Sequence, residues 1–180
     1  METISFGTIT TSKLGIFCIG FSDRGLVRVN FSDKPGRFTQ ELVTTLKVKI
    51  GPADERVANL LRQIQDYLAG ERTEFEVVFD WSGMTDFQIE VLQATFDIPY
   101  GETRAYGEIA VQVGRPRAAR AVGRVEATNP FSLIVPCHRV IGADGKLHGY
   151  SGANGLETKT WLLEFEREVA SKDLTPHLFA

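Results

Sequence analysis

The sequence predicts an α+β fold in two parts, a sheet-plus-helix half followed by a mainly helical half. Three observations carry that expectation. Alternation with a period of two runs through residues 2–31, helical spacing dominates from residue 85 onward, and a short apolar run, residues 131–135, reads as a buried strand or extended segment stopped by Pro136. With 180 residues the chain fits one ordinary domain or two small ones and can bury a core without staples. Its two cysteines, Cys18 and Cys137, lie far apart, so neither a disulfide framework nor a Cys/His zinc cluster is expected, and a reducing cytoplasm is the expected home. Met1 leads into alternating residues rather than a basic stretch and an apolar core, and no apolar run approaches membrane length, so secretion and membrane spanning are not expected. The formal charge of -3 argues against indiscriminate nucleic-acid binding, although a segregated basic face would suffice for a specific contact.

Residues 2–11, 14–21 and 26–31 predict three strands of a meander, the last two joined through Ser22, Asp23, Arg24 and Gly25. Cys18 falls inside the second strand with no base nearby and reads as a small core residue. Lys34-Pro35-Gly36 breaks the chain, and a weak helix is expected around residues 39–46. Residues 54–69 give the clearest helix of this half, with Val57, Leu60, Leu61, Ile64 and Leu68 at helical spacing and Gly70 where a left-handed cap belongs. Residues 75–79 read as another strand. The expected boundaries are a scaffold domain at 1–80, a second domain at 85–170 and a loose tail at 171–180.

The second half opens with the capping box of Thr85 and Gln88, followed by a helix carrying Phe87, Val91, Leu92, Thr95 and Phe96. Thr103 is expected to cap a short helix through Val113. After Gly114, Pro116 is expected to begin a further helix reaching about Ala127. Two helices joined by so short a turn describe a helix-turn-helix. On the second, Ala118, Ala121, Val122 and Val125 form the inward stripe, while Arg117, Arg120 and Arg124 share an adjoining face with the small residues Ala119 and Gly123. Three helical arginines alone describe a solvated surface. The tight turn and the small residues favour close approach to a nucleic-acid groove instead, sequence-independent and compatible with the minor groove.

The chemistry centres on Pro136-Cys137-His138-Arg139. A cysteine flanked by an imidazole and a guanidinium is expected to sit in positive potential, which favours the thiolate. Adjacent side chains on an extended backbone point apart, so His138 can serve Cys137 only if the chain turns there or a water bridges them. On residues alone a buried structural cysteine is the commoner outcome. Residues 140–142 and 147–150 read as short extended pieces around the turn Ala143-Asp144-Gly145-Lys146, and residues 151–155 as a loop of small side chains. A last helix spans residues 157–169, with Trp161, Leu162, Phe165 and Val169 on its apolar face and Glu166 inside that face. A glutamate there must find a partner or stay protonated, and His138 is the candidate; a frayed helix end would leave Glu166 in water. His148 is ambiguous and His177 incidental.

Several separated motifs, in order, resemble the O6-alkylguanine-DNA alkyltransferase family. They are Pro99-Tyr100-Gly101-Glu102-Thr103, the Tyr106 helix, Ala118-Ala119-Arg120-Ala121-Val122-Gly123, Asn129-Pro130, Pro136-Cys137-His138-Arg139, Tyr150-Ser151-Gly152, and Lys159 with Trp161-Leu162-Leu163 leading to Glu166. The resemblance implies a ribonuclease-H-like N-terminal domain, a helical C-terminal domain with a helix-turn-helix, and repair of O6-alkylguanine, with O4-alkylthymine as a second substrate. It implies Cys137 as alkyl acceptor, His138 as base through a bridging water, Glu166 as the carboxylate orienting the imidazole, Asn129 as the brace of the active-site turn, and Tyr106 as proton donor to the leaving guanine. It further implies DNA contact by Thr103, Tyr106, Arg117, Ala119, Ala121, Gly123 and Arg124, with Arg120 filling the stack behind a flipped nucleotide. Val140, Tyr150, Ser151 and Glu126 would line the base pocket. The partner implied is double-stranded DNA carrying O6-alkylguanine, met by a monomer able to cluster along it, with no cofactor and no metal.

The chain departs from that pattern at Arg124 and Glu126, where the family has small or apolar residues, and a carboxylate there is expected to narrow substrate range or weaken DNA binding. The segment from Ser151 to Lys159 is longer than in some members. The zinc ligands and the cysteine-rich second domain of some members are absent. Two other readings compete: a non-enzymatic sensor of alkylated bases that recruits excision repair, opposed by the presence of Cys137, and a cysteine hydrolase, opposed by the adjacency of Cys137 and His138.

Overall fold

The computed structural model describes residues 1–31, 35–150 and 154–173. The expected break at Lys34, the pocket residue Ser151 with Gly152 and Ala153, and the tail from residue 174, His177 included, lie outside the described residues. The chain forms two compact units, Met1–Gly83 with Pro130–Ile134, and Met84–Asn129 with the chain from Val135 onward.

The first unit is built on a four-stranded sheet. Strands β1 (Thr3–Thr11), β2 (Gly15–Ser22) and β3 (Gly25–Phe31) form the expected antiparallel meander, and β4 (Lys49–Gly51) joins parallel to β1, giving the order β3-β2-β1-β4. At three residues, β4 is too short to show alternation, and the sequence did not announce it. Helix α1 (Pro35–Leu46) starts earlier than expected, at the proline, which is tolerated in a first turn. Cys18 packs with Ile4, Phe38, Leu42 and Val48, the core position expected for it. Helix α2 (Glu55–Leu68) is capped by Asp54, whose side chain accepts from Arg56 N and Val57 N, and Gly70 takes φ +77° just beyond it. It lies close on β1: a Cβ at Gly7 would stand 2.5 Å from Val57 Cγ1.

Two expected strands of this unit are corrected. Residues 75–79 make only one bridge, between Leu26 and Phe79, flanked by Leu26 N to Val78 O at 2.8 Å and Asp80 N to Leu26 O at 2.9 Å. The Gln63 side chain substitutes for a neighbouring strand, accepting from Glu76 N at 2.8 Å and donating to Glu76 O at 3.0 Å. The run 131–135 is likewise no continuous strand. Phe131 bridges Val29 once, and Leu133 turns the chain at φ +74°. Phe131, Leu133, Ile134 and Val135 are no more than 1 % exposed, so burial rather than pairing accounts for the apolar run.

The second unit contains α3 (Asp86–Phe96), β5 (Arg104–Ala105), α4 (Tyr106–Gln112), α5 (Ala119–Ala127), a 3₁₀ turn (Cys137–Arg139), β6 (Val140–Ile141) and α6 (Leu156–Asp173). The capping box of Thr85 and Gln88 is present. Thr103 is not the cap of α4: Arg104 and Ala105 extend to pair in parallel with β6, and Glu108 caps the helix by accepting from Ala105 N at 2.6 Å. Helix α5 begins at Ala119 rather than Pro116, because Pro116 and Arg117 sit in a turn closed by Ala118 N to Arg115 O at 2.8 Å. Residues 147–150 form no ladder. Helix α6 is longer than expected and takes in Ser171, placed by sequence in the tail. Among the described residues no helix is long and apolar enough to cross a membrane.

Candidate active site

The chain turns at the cysteine. Cys137 N donates to Val135 O and Arg139 N to Pro136 O, each at 2.8 Å, closing a 3₁₀ turn. With three residues per turn, successive side chains leave in different directions, so the thiol is set apart from the carboxylate that receives the imidazole and the guanidinium. Asn129 fixes the turn by donating Nδ2 to Val135 O at 2.9 Å, and its side chain also hydrogen-bonds the Cys137 sulfur.

Glu166 receives both the imidazole and the guanidinium. His138 Nε2 lies 2.7 Å from Glu166 Oε1. The Arg139 guanidinium grips both carboxylate oxygens, Nε to Oε2 and Nη2 to Oε1 at 2.9 Å each, while its Nη1 donates to Ile98 O at 2.6 Å. Gly101 N adds a fourth donor, to Oε2, at 3.0 Å. Burial alone would raise the Glu166 carboxyl, but the His138 and Arg139 donors outweigh it and hold the group well below the usual carboxylate range. Burial also pushes the His138 ring below its ordinary value despite the glutamate beside it, and Arg139 adds to that. The pair is therefore a neutral imidazole donating Nε2–H to a carboxylate whose counter-ion is Arg139. This leaves Nδ1 with the basic lone pair, buried and without a hydrogen-bond partner among the described residues.

The expected thiolate is corrected. Burial pushes the Cys137 thiol up to about 12, and the nearby Glu126 raises it further, against Asn129 and Lys159. The positive potential read from the neighbouring residues is absent because Arg139 is engaged by Glu166 and His138 is neutral. At rest the site holds a thiol and a base.

Around the sulfur stand four further groups. Lys159 is fully buried, its Nζ donating to Val140 O at 2.7 Å and His148 O at 3.2 Å, and it lies 6.0 Å from the Tyr106 ring centroid. Tyr106 is half-buried and its hydroxyl is raised by burial, Glu126 and Cys137. The Tyr150 hydroxyl is buried and raised well above its ordinary value by burial, Cys137 and Glu166. Glu126 is buried with Oε1 2.6 Å from the Thr95 hydroxyl.

The structure thus brings together Cys137, His138, Glu166, Asn129, Tyr106, Glu126, Tyr150 and the Val140 carbonyl. Thr103 is half-buried just before β5. Arg117, Arg120 and Arg124 are exposed on and before α5, and among the described residues no ion pair engages them. Ala119, Ala121 and Gly123 are half-buried, Gly123 so placed that a Cβ would meet the Tyr106 ring at 3.7 Å. Sequence reasoning gave no role to Thr95 or Lys159, and assigned Arg139 to the thiol rather than to Glu166. Lys159 carried a signal: it precedes Glu166 by two helical turns, so the same buried face holds both charges.

Known proteins resemble this chain along most of its length. Residues 6–81 match the family described as 6-O-methylguanine DNA methyltransferase, ribonuclease-like domain, and residues 86–168 match its DNA binding domain. A methylated-DNA–protein-cysteine methyltransferase of Methanosarcina acetivorans is 43% identical over 164 residues, covering 88% of this chain and 96% of the relative. One from Mycobacterium tuberculosis H37Rv is 58% identical over 113 residues, 63% of this chain and 67% of the relative. The crystal structure of Mycobacterium tuberculosis OGT in complex with DNA superposes with a TM-score of 0.76 at 42% identity, covering 96% of this chain and 98% of that one.

Proposed function

The chain belongs to the methylated-DNA–protein-cysteine methyltransferase family of DNA-repair proteins, and on that premise we propose that Cys137 is the alkyl acceptor of a relay running through His138 to Glu166. The observation that carries the reading is the buried contact of 2.7 Å between His138 and Glu166, one residue from a buried thiol. It leaves a neutral Nδ1 to take the thiol proton through a bridging water, with Glu166 stabilising the imidazolium as it forms and Arg139 holding that carboxylate in place.

The sulfur then attacks the carbon on O6 of guanine. The S–C bond forms as the C–O bond breaks, and Tyr106 gives its proton to the departing base and recovers one from solvent. In net terms the thiol proton replaces the alkyl group on guanine. O6 is unreachable in a stacked duplex, so the nucleotide is flipped out, with Arg120 taking its place in the stack. Helices α4 and α5 act as a helix-turn-helix in the minor groove. Thr103, Tyr106, Ala119, Ala121 and Gly123 approach the backbone closely there, and Arg117 and Arg124 supply charge. The Val140 backbone, Tyr150 and Ser151 hold the extruded guanine, and O4-alkylthymine is the second base accepted. The product is a thioether with no group positioned to cleave it, so each chain repairs one lesion. We read the protein as a cytoplasmic monomer that clusters on DNA.

Titrating the protein with excess duplex carrying O6-methylguanine tests this. Repair should stop at one lesion per chain, and Cys137→Ala should bind the duplex without repairing it. Continued turnover, or repair by the alanine variant, would overturn the reading. The acceptor thiol, its base and its carboxylate together count against a non-enzymatic sensor.

A further inference from the structure

Glu126 is a buried carboxyl group that the transfer chemistry does not require. It sits on α5 three residues before Asn129 and acts electrostatically on Tyr106 of α4, Cys137 of the 3₁₀ turn and Lys159 of α6. Its Oε1 lies 2.6 Å from the Thr95 hydroxyl of α3, and its Oε2 is buried with no hydrogen-bond partner among the described residues. The same hydroxyl lies 2.9 Å from the Val91 carbonyl oxygen.

A hydroxyl has a single hydrogen to give. If Thr95 gives it to Glu126, the Val91 contact has none, and a carboxylate remains buried with one oxygen unpaired, which is costly. If the proton sits on Oε1, the acid donates to Thr95 and Thr95 donates to Val91, and no charge is buried. Lys159 favours the charged form through space but supplies no hydrogen bond to Oε2, because its own hydrogen bonds go to the carbonyls of Val140 and His148.

We propose that Glu126 is a positioning residue for alkyl transfer that works as a neutral acid: protonated, it leaves the Cys137 sulfur free to ionise, and ionised, it opposes the thiolate and so sets the alkaline limit of the reaction. The inference rests on Cys137 being the acceptor. Burial raises the Glu126 carboxyl from 4.5 to about 7, with Thr95 and Lys159 pulling it back, so the group changes charge near neutral pH. Below that point the acid is neutral; above it, a negative charge stands near the sulfur. A like charge acting on a buried thiol lifts it by about one pKa unit or more, which lowers the thiolate fraction about tenfold. His138 is already neutral across this range, so it adds no falling limb at alkaline pH.

The test is the single-turnover rate at saturating O6-methylguanine duplex, measured across pH for the native protein, Glu126→Gln and Thr95→Val, with the Cys137 peptide weighed at each pH. The native rate should fall about tenfold relative to Glu126→Gln between about pH 6 and about pH 8.5. Thr95→Val, which removes the hydroxyl shared by Glu126 and Val91, should displace the pH at which that fall occurs and decides the matter if the glutamine variant does not fold. Parallel native and Glu126→Gln profiles, or a Thr95→Val fall at the native pH, would overturn the proposal. Absence of a methyl on Cys137 at every pH would overturn the acceptor reading instead.

Discussion

Replacing Arg139 with methionine separates two roles that its place beside the cysteine leaves entangled. If the guanidinium promotes the thiolate, its loss should slow transfer and leave folding intact. The contacts say otherwise: two N–H donors at 2.9 Å hold the Glu166 carboxylate, another donates to Ile98 O at 2.6 Å, and Cζ lies 5.5 Å from the Tyr100 ring centroid. Removing one partner of such a buried pair strands the other charge, a loss of about 3–5 kcal/mol. At roughly 2–4 °C per kcal/mol for a protein of this size, the midpoint of thermal unfolding should drop by about 6–20 °C. Thermal unfolding followed by circular dichroism reads the midpoint, and urea unfolding reads the free-energy loss. Glu166→Gln added to Arg139→Met should recover part of the loss, because the stranded charge is gone. A loss under about 1 kcal/mol, the range of an exposed pair, together with a large fall in transfer rate, would refute the structural assignment and return Arg139 to the sulfur.

Two buried carboxyls should pull stability in opposite directions with pH. Glu166 is depressed, so its contribution is present above the ordinary value of 4.5 and lost as pH falls below it, and Glu166→Gln should flatten that acid loss in urea midpoints. Glu126 is raised, so its contribution is full below 4.5 and is lost as pH rises through about 7; Glu126→Gln should remove that decline, worth about 3 kcal/mol at most. In the first unit, Gly25 takes φ +148° and a Cβ there would stand 2.5 Å from Val78 O, so Gly25→Ala should destabilise by roughly 1–3 kcal/mol in the same assay.

Legibility followed the range of the interaction. The meander, α2 with Gly70 just beyond it and the capping box of α3 depend on residues a few positions apart, and the sequence displays them. The strand β4 and the pairing of β5 with β6 depend on partners far along the chain, and stretches of two or three residues carry no periodic signal. The apolar run 131–135 reported burial faithfully and conformation poorly, since a turn at Leu133 buries side chains as well as a strand does. At the site, the wheel position of Glu166 was enough to name His138 as its partner. Charge state was not legible, because proximity in sequence says nothing about burial. Arg139 neighbours the thiol along the chain yet serves Glu166, while Glu126, eleven residues earlier, weighs on the sulfur.

The measurement that tests the central claim most directly is the mass of the two cysteine peptides after mixing the protein with less than one equivalent of O6-methylguanine duplex. The account predicts a methyl group on Cys137 in proportion to lesion consumed and none on Cys18, whose thiol is buried in the apolar core and pushed up to about 11. Lesion consumed with Cys137 unmodified would contradict it.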